Sequence, residues 1–156
     1  MKKLLVQACC GPCACDPSMF EGCVIYYFNG DNFDTKNEYE SRLYALRRVC
    51  SGIILDLYNP KEFTDCQDCI RYRLQKCAET AKNHGFDCFT TTLTVSPHKN
   101  TAMINRIGRE VGKAVGIPFV EYDLKKDGGF EKTVKISKEL GLYRQKYCGC
   151  ARSVRQ

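Results

Sequence analysis

The sequence has no hydrophobic run that could cross a membrane and no segment that could serve as an export signal. A membrane-spanning helix needs about 18 or more apolar residues, and no stretch of the 156 residues approaches that length. The first apolar run covers residues 4–6, whereas an export signal needs roughly 7–15 such residues. We therefore expect a cytoplasmic protein without a membrane partner, in a compartment that keeps thiols reduced.

Nothing in the composition indicates disorder, a coiled coil or a fibrous protein. Apolar residues make up 44% and charged residues 27%, which is ordinary for a globular chain. There is also no internal repeat, no low-complexity tract and no linker. A chain of 156 residues can form one domain with its own core, so we predict a single domain over residues 1–156.

Cysteine is the residue type that the sequence has in excess, with 12 among 156 residues. Two classes of protein have such a composition. One is the secreted disulfide scaffold, and the other is the intracellular protein that uses thiolates as metal ligands or redox groups. Because the sequence shows no export signal, we expect most of these cysteines to be thiols.

The net charge of +6 is concentrated in the last fifth of the chain. Residues 1–124 contain 15 basic and 15 acidic side chains, whereas residues 125–156 contain nine basic and three acidic ones. A basic segment of this kind can follow a phosphate backbone. A solvated basic helix and tail has the same composition, so charge alone leaves both interpretations open.

Short apolar or β-branched runs alternate with segments of helical periodicity about five times along the chain. The predicted strands cover residues 4–6, 24–28, 53–58, 89–95 and 118–122. The predicted helices cover residues 38–50, 69–83, 101–115 and 132–140. Alternation of this kind is typical of a parallel sheet covered by helices. We therefore predict a three-layer α/β fold with a mostly parallel sheet of about five strands.

In open parallel sheets, functional sites lie beyond the carboxyl ends of the strands, where the strand order reverses. Unusual residues follow several of the predicted strands in this sequence. Cys9 and Cys10 follow the first strand, Lys99 follows the fourth, and residues 123–127 follow the fifth. The sequence therefore predicts a site at this edge of the sheet.

Two cysteine pairs are predicted to meet there. Cys9 and Cys10 are adjacent, and the Gly-Pro turn that follows would let both face one centre, whereas neighbours on a strand point apart. Cys66 and Cys69 form a C-x-x-C motif at a predicted helix start capped by Asp65, where backbone amides favour thiolate. Four thiolates suit zinc or an iron–sulfur cluster. A zinc knuckle that only stabilises the loops is the alternative.

Cys148 and Cys150 form a third motif, C-x-C. A disulfide between them would close a small, strained ring that is easily reduced. This favours an electron-transfer pair over the alternative of a second pair of metal ligands. Three further cysteines lie in apolar or helical patterns and are expected in the core: Cys50, Cys77 and Cys88. Cys15 and Cys23 receive no assignment.

Six motifs occur in one order along the chain. They are C-C-G-P-C at 9–13, E-Y-E-S-R-L at 38–43, C-Q-D-C-I-R-Y-R-L at 66–74, F-T-T-T-L-T-V-S-P-H-K-N at 89–100, D-L-K-K-D-G-G at 123–129 and G-L-Y-R-Q-K-Y-C-G-C at 141–150. Together they resemble the cobalamin-independent epoxyqueuosine reductase family through nearly the whole chain. Six ordered matches of this length are specific to a family rather than to a fold.

The resemblance implies a Rossmann-like sheet related to pyrophosphatase-type tRNA-modifying enzymes. It also implies a reaction, the removal of the epoxide oxygen from epoxyqueuosine at the wobble position of the tRNA anticodon, which leaves a cyclopentene-diol. Four cysteines would ligate a 4Fe–4S cluster: Cys9, Cys10, Cys66 and Cys69. Cys148 and Cys150 would form the redox-active dithiol of the family.

Two features of the sequence concern the details of the family pattern. Family members can hold an additional iron beside the cluster, and Cys13 occupies the position that would ligate it in this sequence. The chain also passes almost directly from Tyr58 to Cys66, where the family pattern has a longer insertion.

The residues next to the dithiol suggest contact with RNA. Tyr143, Arg144, Lys146 and Tyr147 interleave two aromatic rings with two cations, which suits stacking on the bases of a single-stranded loop. Packing of each tyrosine against the last helix is the alternative. Two residues in predicted strand-end loops are candidate polar contacts or proton donors: Lys99 and Asp127.

The expected partners are tRNA carrying epoxyqueuosine and an electron donor that the sequence does not identify. Two other functions are alternatives to this reaction. A sulfur-inserting tRNA enzyme on the same fold would bind ATP through a Gly-rich, Ser-containing loop after the first strand, where this sequence has Cys9 and Cys10. A zinc-stabilised RNA-binding module is the other, and metal analysis distinguishes it from a cluster enzyme.

Overall fold

A computed structural model describes residues 3–8, 23–27, 36–50, 52–55, 65–97 and 99–143. Four strands, four α-helices and two 3-10 turns form within them: β1 (Leu4–Ala8), β2 (Val24–Tyr27), α1 (Lys36–Val49), β3 (Gly52–Leu55), α2 (Cys66–Asn83), β4 (Cys88–Thr91), a 3-10 turn (Leu93–Val95), α3 (Thr101–Val115), a second 3-10 turn (Lys126–Gly128) and α4 (Gly129–Leu140). No helix in these segments is long and apolar enough to cross a membrane. The predicted alternation of strand and helix is confirmed, and the protein is α/β.

The four strands form a parallel sheet in the order β3-β2-β1-β4. β1 lies inside the sheet, where Leu5 pairs with Val24 on one side and with Phe89 on the other. The chain moves outward from β1 through β2 to β3, and then crosses over to place β4 on the opposite side of β1. The strand order therefore reverses between β1 and β4, which is where a parallel sheet opens a crevice for a functional site.

The sheet is buried on both faces. Leu5 and Phe89 point to one face and pack in a core with Leu74 of α2 and residues of α3. Val6 points to the other face and packs in a second core with Leu46 of α1. Strands covered on both faces have near-continuous apolar sequences, which explains why the strand signals were short apolar runs rather than alternating ones.

The ends of α2 and α3 follow from their capping residues. Asp65 caps α2 as predicted, because its carboxylate accepts a hydrogen bond from the Gln67 amide at 2.7 Å. Asn100 caps α3 by accepting from the Met103 amide at 3.0 Å. Gly116 ends α3 with a φ of 90°, a left-handed conformation that favours glycine.

The strand predicted over residues 89–95 ends earlier, at Thr91. The Thr91 hydroxyl accepts a hydrogen bond from the Leu93 amide at 3.1 Å, and residues Leu93–Val95 form a 3-10 turn. A threonine side chain that bonds to the backbone two residues later competes with strand pairing in this way. The Thr-rich sequence therefore predicted a longer strand than the fold contains.

The strand predicted over residues 118–122 is represented by one isolated bridge between Phe89 and Phe119. The Phe89 amide donates to the Pro118 carbonyl at 3.1 Å, and the Val120 amide donates to the Phe89 carbonyl at 2.9 Å. The Val120 carbonyl then accepts from the Thr90 hydroxyl at 2.7 Å. This side-chain hydrogen bond follows the bridge in place of a further backbone pair, and the described sheet has four strands rather than the predicted five.

The last helix, α4, packs against α1. It begins at Gly129, three residues before its predicted start, and Leu142 just beyond it packs with Ala45. Arg48 at the end of α1 donates to the carbonyls of Leu140 at 2.6 Å and Gly141 at 3.4 Å. A cation near these carbonyls complements the negative end of a helix, so Arg48 holds the carboxyl end of α4 on α1.

Gly112 of α3 allows the chain after the helix to approach closely. A Cβ atom added at Gly112 would lie 2.6 Å from the Ile117 carbonyl oxygen, a backbone atom that is held by neighbouring hydrogen bonds. We expect Gly112→Ala to lower the free energy of unfolding by about 1–3 kcal/mol, although alanine has the better helix propensity. Urea unfolding followed by circular dichroism measures this change.

Gly52→Ala is the matched control, because a Cβ atom there would make only an ordinary contact, 3.6 Å from Val24. We expect this control to lose less stability than Gly112→Ala. A Gly112→Ala protein at least as stable as the wild type would show that the close contact between residue 112 and the Ile117 carbonyl does not constrain the fold.

Candidate thiol site at the carboxyl edge of the sheet

α2 begins at the edge of the sheet where the strand order reverses. Its last residue, Asn83, is separated from the start of β4 by only four residues, so the helix runs opposite to the strands and its first residue, Cys66, lies at their carboxyl ends. β1 ends at this edge with Ala8. Cys9 and Cys10 follow Ala8 in the sequence and lie outside the described residues.

Cys66 and Cys69 occupy the first turn of α2. The Cys66 side chain is exposed, whereas Cys69 is buried with 4% of its surface exposed. Backbone amides at a helix N-terminus stabilise negative charge and therefore favour thiolates. The pair is suited to supply two thiolate ligands to a metal centre. Within the described segments no three His, Cys, Asp or Glu side chains are grouped for a metal ion, so this pair would be part of a larger ligand set.

Lys99 lies next to this pair. Its Nζ donates a hydrogen bond to Cys66 Sγ at 3.6 Å, so the lysine places a positive charge beside this sulfur. Lys125 holds the loop that carries Lys99, because its Nζ donates to the Lys99 carbonyl at 3.0 Å and to the Thr101 hydroxyl at 2.5 Å. The Thr101 hydroxyl in turn donates to Asp123 at 3.3 Å. This network joins the loop after β4 to the segment that leads into the 126–128 turn.

Asp127 is exposed on that turn in a left-handed conformation, with φ 56° and ψ 38°. Such a conformation is uncommon for residues other than glycine. The turn is tightly closed, since a Cβ atom at Gly129 would lie 1.7 Å from the Leu124 carbonyl oxygen. The fold therefore fixes the backbone beneath Asp127 and presents its carboxylate to solvent.

Three of the predicted site residues are brought together by the fold: Cys66, Cys69 and Lys99. Asp127 is linked to them only through the Lys125 network. Tyr143 follows α4 with 39% of its surface exposed. The other predicted site residues lie outside the described residues: Cys9, Cys10, Cys13, Arg144, Lys146, Tyr147, Cys148 and Cys150.

The six cysteines in the described segments are all free thiols. Cys77 and Cys88 are buried, which confirms their predicted place in the core. Cys50 is half-buried and donates from its sulfur to the Leu46 carbonyl at 3.0 Å. Burial raises the pKa of the Cys77 thiol and that of Cys50. These two thiols therefore stay protonated.

Sequence patterns did not identify the buried polar residues at this edge. Gln7 is fully buried near the end of β1, and its side-chain carbonyl accepts a hydrogen bond from the Thr91 hydroxyl at 2.6 Å. Arg73, which is 2% exposed, lies one helical turn after Cys69 on the buried side of α2. The sequence does contain a signal for Gln7, a polar residue directly after the apolar run of β1. The strand predicted over residues 4–6 ends before it.

The fold and site define a class of protein, an α/β protein with a thiol pair where the strand order of a parallel sheet reverses. The family model described as Epoxyqueuosine reductase QueH matches residues 4–156. The chain belongs to this family and is therefore an oxidoreductase.

Several curated relatives carry the name Epoxyqueuosine reductase QueH. The one from Thermotoga maritima is 31% identical over 175 aligned positions, which cover 99% of this chain and 91% of the relative. The Streptococcus pyogenes relative is 31% identical, with 94% of this chain and 68% of the relative covered. The Dehalococcoides mccartyi relative is 30% identical, with coverage of 97% and 92%. Because 175 positions exceed the 156 residues of this chain, the first alignment leaves gaps in it.

We expect iodoacetamide to alkylate Cys66 in the folded, metal-free protein and to leave Cys77 unmodified until the chain unfolds. Cys66 is exposed, whereas Cys77 is buried and its raised pKa keeps it a thiol; only the thiolate attacks. Mass spectrometry of peptides after a short exposure measures both. The half-buried Cys50 is the control and should react more slowly than Cys66. Equal labelling of Cys66 and Cys77 in folded protein would contradict this assignment.

Proposed function

We propose that this protein removes the epoxide oxygen of epoxyqueuosine at the wobble position of the tRNA anticodon and leaves the cyclopentene-diol of queuosine. The observation that carries the proposal is the family match over residues 4–156. Curated relatives that align with more than nine-tenths of the chain are named for the same activity. The thiol pair at the edge of the sheet provides a site of suitable chemistry.

Four cysteines would ligate a 4Fe–4S cluster in this protein: Cys9, Cys10, Cys66 and Cys69. The described half of this set fits the group, because Cys66 and Cys69 share a helix N-terminus with Lys99 beside them, and each of these features favours thiolate ligands. Cys13 would ligate an additional adjacent iron. When bound, such a centre supplies single electrons and a Lewis acid that polarises the epoxide oxygen.

The Cys148 and Cys150 thiols are proposed to supply the reducing equivalents. Deoxygenation of the epoxide breaks both carbon–oxygen bonds, forms one carbon–carbon double bond and consumes two electrons and two protons. Oxidation of the two thiols to a disulfide releases two electrons and two protons, so the sum is an alkene, water and a disulfide. Cellular thiols would then reduce the disulfide by exchange.

Proton delivery and substrate binding fall to polar residues near the site. Lys99 and Asp127 are the proposed polar contacts or proton donors to the leaving oxygen, since a positioned acid assists such a departure. The Lys125 network ties the loop of Lys99 to the segment before Asp127. Four residues are proposed to contact the anticodon loop by stacking and charge: Tyr143, Arg144, Lys146 and Tyr147.

The proposal has consequences for the organisation of the chain. We assign residues 1–156 to a single domain, with the basic segment 125–156 directed at the tRNA. We also place the fold among the Rossmann-like folds of pyrophosphatase-type tRNA-modifying enzymes, with residues 118–122 in the position of a fifth strand. Because tRNA and reducing thiols are both required, the reaction belongs in the cytoplasm.

Two serine variants separate the proposed roles of the cysteines. Cys66→Ser should lose bound iron and its visible absorbance, because one ligand of the cluster is missing. Cys148→Ser should keep the iron and absorbance but lose multiple turnover, because no disulfide can form. Iron and sulfide analysis of anaerobically purified protein measures the first effect. Nucleoside analysis of epoxyqueuosine-containing tRNA, incubated with reductant, measures the second.

Cys50→Ser is the control in this experiment, since Cys50 packs in the core beside α1 and a serine hydroxyl can also donate to the Leu46 carbonyl. It should retain both the iron and the turnover. Colourless wild-type protein that binds one zinc would overturn the proposed function in favour of a zinc-stabilised module. Loss of iron in Cys148→Ser would make Cys148 a ligand instead of a redox group.

Asp127→Gly should distinguish the effect of residue 127 on stability from its effect on the reaction. Glycine adopts the left-handed conformation of residue 127 without strain, so we expect the free energy of unfolding to rise by up to about 1 kcal/mol. The loss of a proton donor should lower the rate of epoxide reduction by about 100-fold. Thermal unfolding and the tRNA assay measure the two effects. Asp127→Asn should lose the same activity, and a fully active Asp127→Gly protein would exclude the proton-donor role.

A further inference from the structure

We propose that the side-chain amide of Gln7 donates an N–H hydrogen bond to a sulfur atom of the cysteine-ligated group, and thereby positions this group and raises its reduction potential. The inference rests on the proposed function, which supplies the group. Gln7 is then a positioning residue for this group, although it lies outside the cysteine motifs.

Gln7 is buried and its amide has a fixed orientation. None of its surface is exposed, and its Oε1 accepts a hydrogen bond from the Thr91 hydroxyl at 2.6 Å. The same hydroxyl accepts from the Leu93 amide at 3.1 Å, so its proton is available for Gln7. This chain of hydrogen bonds holds the amide carbonyl toward Thr91 and leaves the Nε2 protons for another acceptor.

The Nε2 atom of Gln7 has no hydrogen-bond partner among the described residues. A buried polar group without a partner destabilises a protein, so such groups are rare and indicate a missing partner. The hydroxyl of Thr92 is also buried and without a partner in the described part of the chain. The Thr92 amide donates to the Gln7 carbonyl at 2.9 Å, so both groups lie at one place, where β1 and β4 end.

This place is where the cysteine-ligated group is proposed. Gln7 precedes Cys9 by two residues in the sequence. Leu5 of β1 packs in the same core as Ile70 and Leu74 of α2, and residues alternate between faces along a strand. Gln7 therefore points to the face that α2 covers, and α2 opens with Cys66 and Cys69. The N–H donor of Gln7 therefore lies on the same face of the sheet as these two cysteines, which is the side where a sulfur acceptor is proposed.

Sulfur is a suitable acceptor for this donor. Thiolate and sulfide atoms of an iron–sulfur centre carry negative charge, and hydrogen bonds to them tune the reduction potential. An N–H dipole stabilises the reduced form more than the oxidised form, because the reduced form carries one more negative charge. The Gln7 amide should therefore raise the potential and slow the release of metal.

Gln7→Met tests this inference, since methionine fills a similar volume and has no N–H donor. The midpoint potential of the loaded protein should fall by about 59 mV, which corresponds to a tenfold change in a one-electron equilibrium. Removal of iron by a chelator should be about tenfold faster or more, as for other residues that support metal ligands. Spectroelectrochemical titration and the decay of the visible absorbance measure the two quantities.

Leu5→Met is the matched control, because Leu5 lies on the same strand and face but has no hydrogen-bond donor. The midpoint potential of the loaded Leu5→Met protein should equal that of the wild type. Gln7→Glu is a second variant that keeps the acceptor for Thr91 and replaces the NH2 group with oxygen, so it should lower the potential as well. A Gln7→Met protein with the potential and the iron release rate of the wild type would overturn the inference alone. A wild-type protein that takes up no iron–sulfur centre would overturn the proposed function together with it.

Discussion

The parallel pairing of β1 with β4 is the constraint on which the described structure depends. The two strands are joined over four residue pairs, from Leu4 with Cys88 to Gln7 with Thr91, although some eighty residues separate them in sequence. Parallel neighbours require a crossover connection, usually a helix, and here α2 completes the crossover to β4 and packs on both strands. The position of α2 follows from this pairing, and with it the position of Cys66 and Cys69 at the carboxyl edge.

The carboxyl edge differs from the rest of the sheet, where the buried strand residues are mostly apolar. Residues such as Leu5 and Val6 are fully buried and apolar. Near the ends of β1 and β4, by contrast, polar side chains are also buried, among them Gln7, Thr91 and Thr92. Burying such groups is unfavourable unless they are hydrogen-bonded. Local departures from good packing chemistry are expected at functional sites, and here they coincide with the reversal of strand order.

Much of the fold could be predicted from the sequence because its signals are local. Asp65 as a helix cap, Gly116 as a helix end and the apolar strand runs each depend on a few neighbouring residues. The contact between Lys99 and Cys66 also follows, in outline, from placing both at the same edge of the sheet, Lys99 after a strand and Cys66 at a helix start. The turn after Thr91 could not be predicted, because a strand and a threonine turn use the same residue types and the choice depends on packing. The role of Gln7 depends on Thr91, a residue far away in the chain.

The separation of β1 and β4 in sequence also governs how the protein forms on the ribosome. β1 is synthesised before the other three strands, and β2 can pair with it early, but the other edge of β1 must wait for β4. Leu4 and its partner Cys88 are 84 positions apart, so at about 5–20 residues per second the synthesis from one to the other takes roughly 4 to 17 seconds. During that time an apolar strand edge stays open, and such edges are prone to pair with other chains. The crevice at the reversal, and with it the thiol site, exists only after β4 and the loop that carries Lys99 have been synthesised.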